Sequence, residues 1–179
     1  MRGVSFGAIV EALDEAGVRY LVAGGLAVNA HGYLRFTRDA DLVVELLPEN
    51  VLAAWGALEG LGYRPVVPIP AEVFASQESR ERLVTAKGMQ VLSFHAEAHL
   101  ETPVDLFATV PFAFAEEYER APVKAMGGRS VRFVSLDTLI AMKRTAGRAQ
   151  DRADLEQLLL LREDAAGDGQ TEKEGGAGP

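Results

Sequence analysis

Apolar residues recur at helical spacing near the start of the chain. Phe6, Ile9, Val10 and Leu13 fall at i, i+3, i+4 and i+7, which predicts a helix capped by Ser5 and stopped by Gly17. The period then changes. Residues 18–23, VRYLVA, read as a short buried strand, and Gly24-Gly25 end it. The next segment, LAVNAHG, reads as a short helix ending at Gly32. Residues 39–46, DADLVVEL, alternate: Ala40, Leu42, Val44 and Leu46 share one face, and Asp39, Asp41, Val43 and Glu45 the other. Pro48 opens a second long helix with Val51, Leu52, Trp55 and Leu58 on one stripe, closed by Gly60 or Gly62.

Residues 64–70 read as a Pro-rich connection and 71–83 as a polar helix. Strands are expected at 89–94 and 103–108, joined by the loop HAEAHLET, with a short helix at 111–120. Residues 122–126 and 130–134 flank Gly127-Gly128, a hairpin signal. Ser135 caps a helix expected to run through Arg148, and a last helix is expected from Gln150 to Arg162. This order predicts an α/β (α+β) single domain, with a mixed, partly antiparallel sheet flanked by helices rather than a regular parallel series. The domain is expected to span residues 1–162. Residues 163–179, acidic and Gly-rich, are expected to form a disordered tail.

Charge narrows the function classes. The 179 residues carry a net charge of −8, which argues against non-specific binding to duplex DNA. Half of that charge lies in residues 163–179, so the body carries −4, a balance that favours a protein or a cationic small molecule over RNA as partner. There is no cysteine, hence no disulfide framework and no thiolate metal site. No apolar run approaches the roughly 18 residues of a membrane span, and the first residues contain acids where a signal peptide needs an apolar stretch. A cytoplasmic protein that does not bind membranes is the expectation.

The candidate chemistry lies in residues 18–46. A strand runs into Gly24-Gly25 and then straight into a helix; such glycines let a ligand approach the backbone, and the helix start offers free N–H groups to an anion. Asp39 and Asp41 follow at i and i+2, so both carboxylates leave the same face of the next strand. Two acids that close repel each other unless a cation neutralises them, and Mg²⁺ is the natural cation for an all-oxygen site shared with phosphates. Asp105, an acid inside the otherwise apolar PVDLF, is the candidate for a third ligand, which would allow two ions. Arg35, Arg38 and Lys143 are the candidate cations; Lys143 falls on the apolar stripe of Leu136, Leu139 and Ile140. Arg144, Arg148 and Arg152 read as a basic helix edge balanced by Asp151, Asp154 and Glu156. His95 and His99 stand four apart in a loop and lack the pattern of a zinc helix, and His31 reads as a packing or nucleotide-side residue.

The stretch GGLAVNAHGYLRFTRDADLVV resembles the signature of the nucleotidyltransferase superfamily with the DNA polymerase β-like fold: Gly-Gly or Gly-Ser, a spacer, Asp-x-Asp, and a third acid on a later strand. Within it, the spacer residues His31, Gly32, Arg35 and Thr37 are similar to small bacterial proteins of toxin–antitoxin and abortive-infection systems. The resemblance implies that Gly24 and Gly25, with Arg35, Thr37 and Lys143, hold the triphosphate of a nucleotide. It implies that Asp39, Asp41 and Asp105 bind Mg²⁺, and that Asp105 helps deprotonate an acceptor hydroxyl attacking the α-phosphorus. The acceptor is left open among a protein, a tRNA end and a small molecule, and a protein partner is a further expectation. Many members carry a Ser where this chain has Gly25 or Leu26, so phosphate binding here would rest on backbone N–H groups and cations. Two other classes fit the same residues: a non-catalytic nucleotide-binding or partner-regulating protein, and a nucleotide hydrolase.

Overall fold

The computed structural model describes residues 3–126 and 128–171. It is a single mixed domain. Five strands form one sheet: β1 (Tyr20–Val22), β2 (Ala40–Val44), β3 (Arg64–Pro65), β4 (Val91–His95) and β5 (Val104–Phe107), in the order β1-β2-β5-β4-β3. Only the central pair, β2 and β5, is parallel; every other neighbour is antiparallel. A hairpin, β6 (Val123–Met126) and β7 (Arg129–Arg132), stands apart as a second small sheet. It is joined to the first where Val134 N–H donates to the Val22 carbonyl at 3.0 Å.

The long helices follow their apolar stripes. Helix α1 (Gly3–Glu15) buries Phe6, Ile9, Val10 and Leu13 completely or nearly so. Because it starts at Gly3, Ser5 lies inside the helix rather than at its cap. Helix α3 (Pro48–Gly60) packs against α1 and buries Val51, Ala54, Trp55 and Leu58. Trp55 meets Phe94 edge-on at 5.0 Å between ring centres, an arrangement favoured by the aromatic quadrupole. The expected 71–83 helix is two helices, α4 (Ala71–Ala75) and α5 (Gln77–Lys87), because Ser76 leaves helical geometry and caps the second by accepting from Ser79 N–H. The Pro-rich connection contains the two-residue strand β3, too short to show any period.

Helix α2 (Gly24–His31) follows β1 after one residue and ends at Gly32, whose φ of 117° no side-chain-bearing residue adopts readily. After α6 (Phe114–Arg120), helix α7 (Leu136–Ala146) has its start firmly held. Ser135 accepts from Thr138 N–H, and buried Glu117 accepts from Ser135 N–H at 2.6 Å and from Arg120 at 2.6 Å. Burial pushes the Glu117 carboxyl up, but these bonds outweigh it and hold it below its ordinary range. Helix α7 ends at Ala146, two residues short of the expected Arg148, and Gly147 turns the chain in the left-handed region. Helix α8 (Ala149–Thr171) then packs back on α7 and α2. The expected boundary at 162/163 thus falls inside α8; the rest of the expected tail, 172–179, lies outside the described residues. Among the described residues no helix is long and apolar enough to cross a membrane.

Candidate active site

The parallel register places Asp41 on β2 directly opposite Asp105 on β5. Residues paired this way project from the same face of a sheet. Asp39 lies two residues before Asp41, just ahead of the strand, and is exposed. The electrostatics register the crowding. Burial pushes the Asp41 carboxyl up to about 7; Asp105 and then Asp39 push it the same way, and Lys143 and Arg148 draw it partly back. The three predicted acids are therefore brought into one electrostatic neighbourhood. Among the described residues no three His, Cys, Asp or Glu side chains stand close enough to hold a metal ion as placed. The donor chemistry nonetheless suits a hard divalent cation: oxygen only, with an excess of negative charge that leaves Asp41 partly protonated near neutral pH.

Gly24 faces Asp41, and Gly25 faces the loop that carries Arg35 and Thr37. Gly24 sits at φ +58°, and a Cβ there would overlap the carboxylate of Asp41. A Cβ at Gly25 would overlap Thr37 and come within 3.1 Å of the Arg35 guanidinium. The backbone is pressed this closely on Asp41 and on the Arg35–Thr37 loop because neither residue has a side chain. No side chain caps the start of α2, so its first N–H groups and helix dipole point a partial positive charge out beside Asp41.

The loop between α2 and β2 is fixed from two sides. Asn29 on α2 clamps the backbone of Arg35, donating to its carbonyl and accepting from its N–H, both at 2.9 Å. From the other side Asp154 on α8, fully buried, accepts two hydrogen bonds from the Arg35 guanidinium at 2.6 and 2.8 Å. Asp154 also pairs with Lys143 at 2.8 Å and accepts from Gln150 at 3.0 Å. Burial raises the Asp154 carboxyl, but the bonds from Arg35, Lys143 and Gln150 prevail and hold it low. Lys143 in turn pairs with Asp151 at 2.8 Å.

This cluster corrects one reading of the sequence. Asp151 and Asp154 are buried partners of Arg35 and Lys143, not surface counter-ions of Arg144, Arg148 and Arg152. Sequence carried the signal: Asp151 and Asp154 lie at i and i+3 on the stripe that continues to buried Leu158, so acids face the core there. Lys143 does not snorkel; it is 9% exposed, and its ammonium ends among these acids. Arg38 reaches the Leu100 carbonyl at 3.4 Å. His31 donates from Nε2 to the Val134 carbonyl at 2.8 Å, which makes it a tie between α2 and the segment before α7, and burial lowers its pKa. His99 stacks on Tyr63 and meets Ser5 Oγ at 3.1 Å, while His95 is exposed at the end of β4. Ser93 on β4, unmarked in the sequence, pairs in register with Asp105 and extends the acid face toward β3.

No protein-family model matches the sequence, and neither does any curated relative. The fold is similar to that of solved nucleotidyltransferases. A solution structure of the antibiotic-resistance factor ANT(2'')-Ia aligns with 97% of this chain and 95% of its own length, with a TM-score of 0.56 at 15% identity. The lincosamide antibiotic adenylyltransferase LnuA, in its lincomycin-bound crystal structure, covers 88% of this chain and 96% of its own, with a TM-score of 0.58 at 13% identity. ANT(2'')-Ia in complex with adenylyl-2''-tobramycin aligns over 91% and 95%, with a TM-score of 0.55 at 16% identity.

Proposed function

We propose that this chain is a Mg²⁺-dependent nucleotidyltransferase that moves a nucleoside monophosphate from a nucleoside triphosphate, ATP being the first to test, to an acceptor hydroxyl. The observation that carries the reading is the in-register pair Asp41–Asp105 beside a left-handed Gly24 that presses on Asp41. Asp41, whose carboxyl is raised with Asp105 opposite it, needs a cation, and a side-chain-free helix start beside it suits a phosphate. The fold of antibiotic adenylyltransferases supports the same reading.

In this reading the first N–H groups of α2 hold the triphosphate, with Arg35, Thr37 and Lys143 behind them. Asp39, Asp41 and Asp105 would hold Mg²⁺, which when bound neutralises the acids and the phosphate charge. Asp105, on the open half of the sheet, takes the proton of the acceptor hydroxyl. That oxygen forms the new bond to the α-phosphorus, the bond from the α-phosphorus to the bridging oxygen breaks, and pyrophosphate leaves. The test is incubation of the purified chain with α-labelled nucleoside triphosphates, Mg²⁺ and acceptor mixtures. Pyrophosphate release with label on an acceptor is expected, and its loss in Asp105→Asn. Free nucleoside monophosphate without an adduct would instead indicate a hydrolase.

A further inference from the structure

A cleft of about 550 Å³ opens between the end of α5, the start of β4, the loop after β3 and the turn between α7 and α8. Val67, Met89 and Val91 give it an apolar side, and Lys87 and Arg148 a cationic one. Among the described residues neither Lys87 nor Arg148 has an acid within ion-pairing distance of its side chain.

Register ties this cleft to the acids. Asp41, Asp105 and Ser93 lie side by side across β2, β5 and β4, and two residues further along the same face come Val43, Phe107 and Val91. Val91 therefore stands about 7 Å along the strand from the level of Asp105. Over β2 the face is closed, since Val43 is fully buried; over β5 and β4 it stays open, since Asp105, Ser93, Phe107 and Val91 remain partly exposed. Along this open face a trough of partly exposed residues leads from Asp105 toward Val91 and the cleft lined by Lys87 and Arg148. The charge of Arg148 also acts on Asp41.

Building on the transferase reading above, we propose that this trough binds the acceptor, and that the acceptor is a small molecule with a hydroxyl at one end and a carboxylate or phosphate at the other. The hydroxyl lies at Asp105, the carbon skeleton lies on Val91 and Met89, and the anion meets Lys87 and Arg148. Overall charge favours a cationic partner, but the local charge at this end of the trough is positive and repels one. A polycationic aminoglycoside such as tobramycin should therefore bind poorly there.

The test is calorimetric titration of the full chain, loaded with Mg²⁺ and a non-hydrolysable ATP analogue. One arm uses gluconate, glycerol 3-phosphate and glucose 6-phosphate; the other uses tobramycin. At least one of the anions should bind and tobramycin should not. Lys87→Met and Arg148→Met should each weaken the anion by about tenfold or more, as expected for loss of a charge-assisted contact. Lys87→Met should leave affinity for the nucleotide analogue unchanged. Arg82→Met, an exposed change on the same helix, is the control and should alter neither. Binding of tobramycin, or of none of the anions, overturns the proposal. So does an equal loss of nucleotide affinity in Lys87→Met, because the cations would then serve the triphosphate. The anions are also titrated without nucleotide: a protein that binds them but no nucleotide keeps the cleft and loses the transferase reading.

Discussion

Arg35 and Asp154, separated by 119 residues in sequence, form a bidentate ion pair that locks the loop before Asp39 and Asp41 onto the last helix. The pair is shielded, with side chains 18% and 0% exposed, and Lys143 joins it from α7. A buried pair adds little net stability, but removing one partner leaves an uncompensated charge, which costs about 3–5 kcal/mol. Asp154→Ala should therefore destabilise the chain by that order in urea unfolding, and lower nucleotide affinity as the loop with Thr37 loosens. Asp154→Asn keeps the shape and should fall between the two. A wild-type unfolding midpoint for Asp154→Ala would remove the lock from the account.

Lys143 is tested separately. If it holds phosphate as well as Asp151 and Asp154, Lys143→Met should lose about one to two decades of nucleotide affinity, the size of a charge-assisted contact. If it serves only as the ammonium between two acids, Lys143→Met should lower the melting temperature while the folded fraction binds nucleotide like wild type. Titration with a non-hydrolysable nucleotide, well below the melting temperature, separates the two outcomes.

The glycines make a sharper case. A side chain at Gly25 meets Thr37 and the Arg35 guanidinium, so Gly25→Val must displace the loop that carries both, beside the proposed phosphate site. Nucleotide affinity should drop steeply while circular dichroism stays native. Gly24→Ala has two costs. The residue holds φ +58°, where a side chain adds about 1–2 kcal/mol, and the new methyl overlaps Asp41. It should lower the melting temperature more than Gly25→Ala does. The reverse order would show that the crowding at Gly24 relaxes cheaply.

Much of this geometry was legible in the residues, for identifiable reasons. The stripe of Phe6, Ile9, Val10 and Leu13 has one period and one solution, and Gly24-Gly25 between a strand and a helix permits little but a tight turn. Asp105 stood out because an acid in an apolar strand needs a partner. Other features depend on pairing, which no local pattern encodes. That β5 inserts between β2 and β4, bringing Asp105 opposite Asp41, is a property of the sheet order. Strand β3 is held by its pairing with β4 and carries no period of its own. In the sequence Asp154 reads as a surface residue because three arginines lie near it, whereas its partners come from α7 and from the loop after α2.

The length of α8 gives a prediction about the end of the chain. Among the described residues its apolar contacts end at Leu161, which also lies 3.7 Å from where a Cβ on Gly32 would sit; residues 162–166 are exposed throughout. Exposed residues beyond the last packed turn add little to stability. Truncation after Glu163 should leave the melting temperature within about 1 °C, whereas truncation after Leu158 should lower it by several degrees, because it removes Leu159 and Leu161. Equal losses from the two would mean that the segment beyond 163 packs on the domain.

Asp41 governs the dependence on pH. Its carboxyl is raised to about 7 in the folded chain, against about 3.9 in an unfolded one, so the folded state binds the proton more tightly. The stability this proton supplies is fully present below about pH 4 and is lost as the pH rises through 7. Asp154 works in the opposite sense: its carboxyl is lowered, so its contribution is lost only on acidification, below the range of interest. Between pH 5 and 8 the metal-free wild type should therefore lose melting temperature relative to Asp41→Asn, which has no proton to lose. Mg²⁺ with nucleotide should reverse the trend and stabilise the wild type more at pH 8 than at pH 6, since only the ionised carboxylate binds a cation well. Asp41→Asn should gain nothing from Mg²⁺ and transfer no nucleotide. Parallel melting curves for the two proteins across this range would show that Asp41 titrates like an ordinary surface acid. The crowding among Asp39, Asp41 and Asp105 would then be too weak to require a cation.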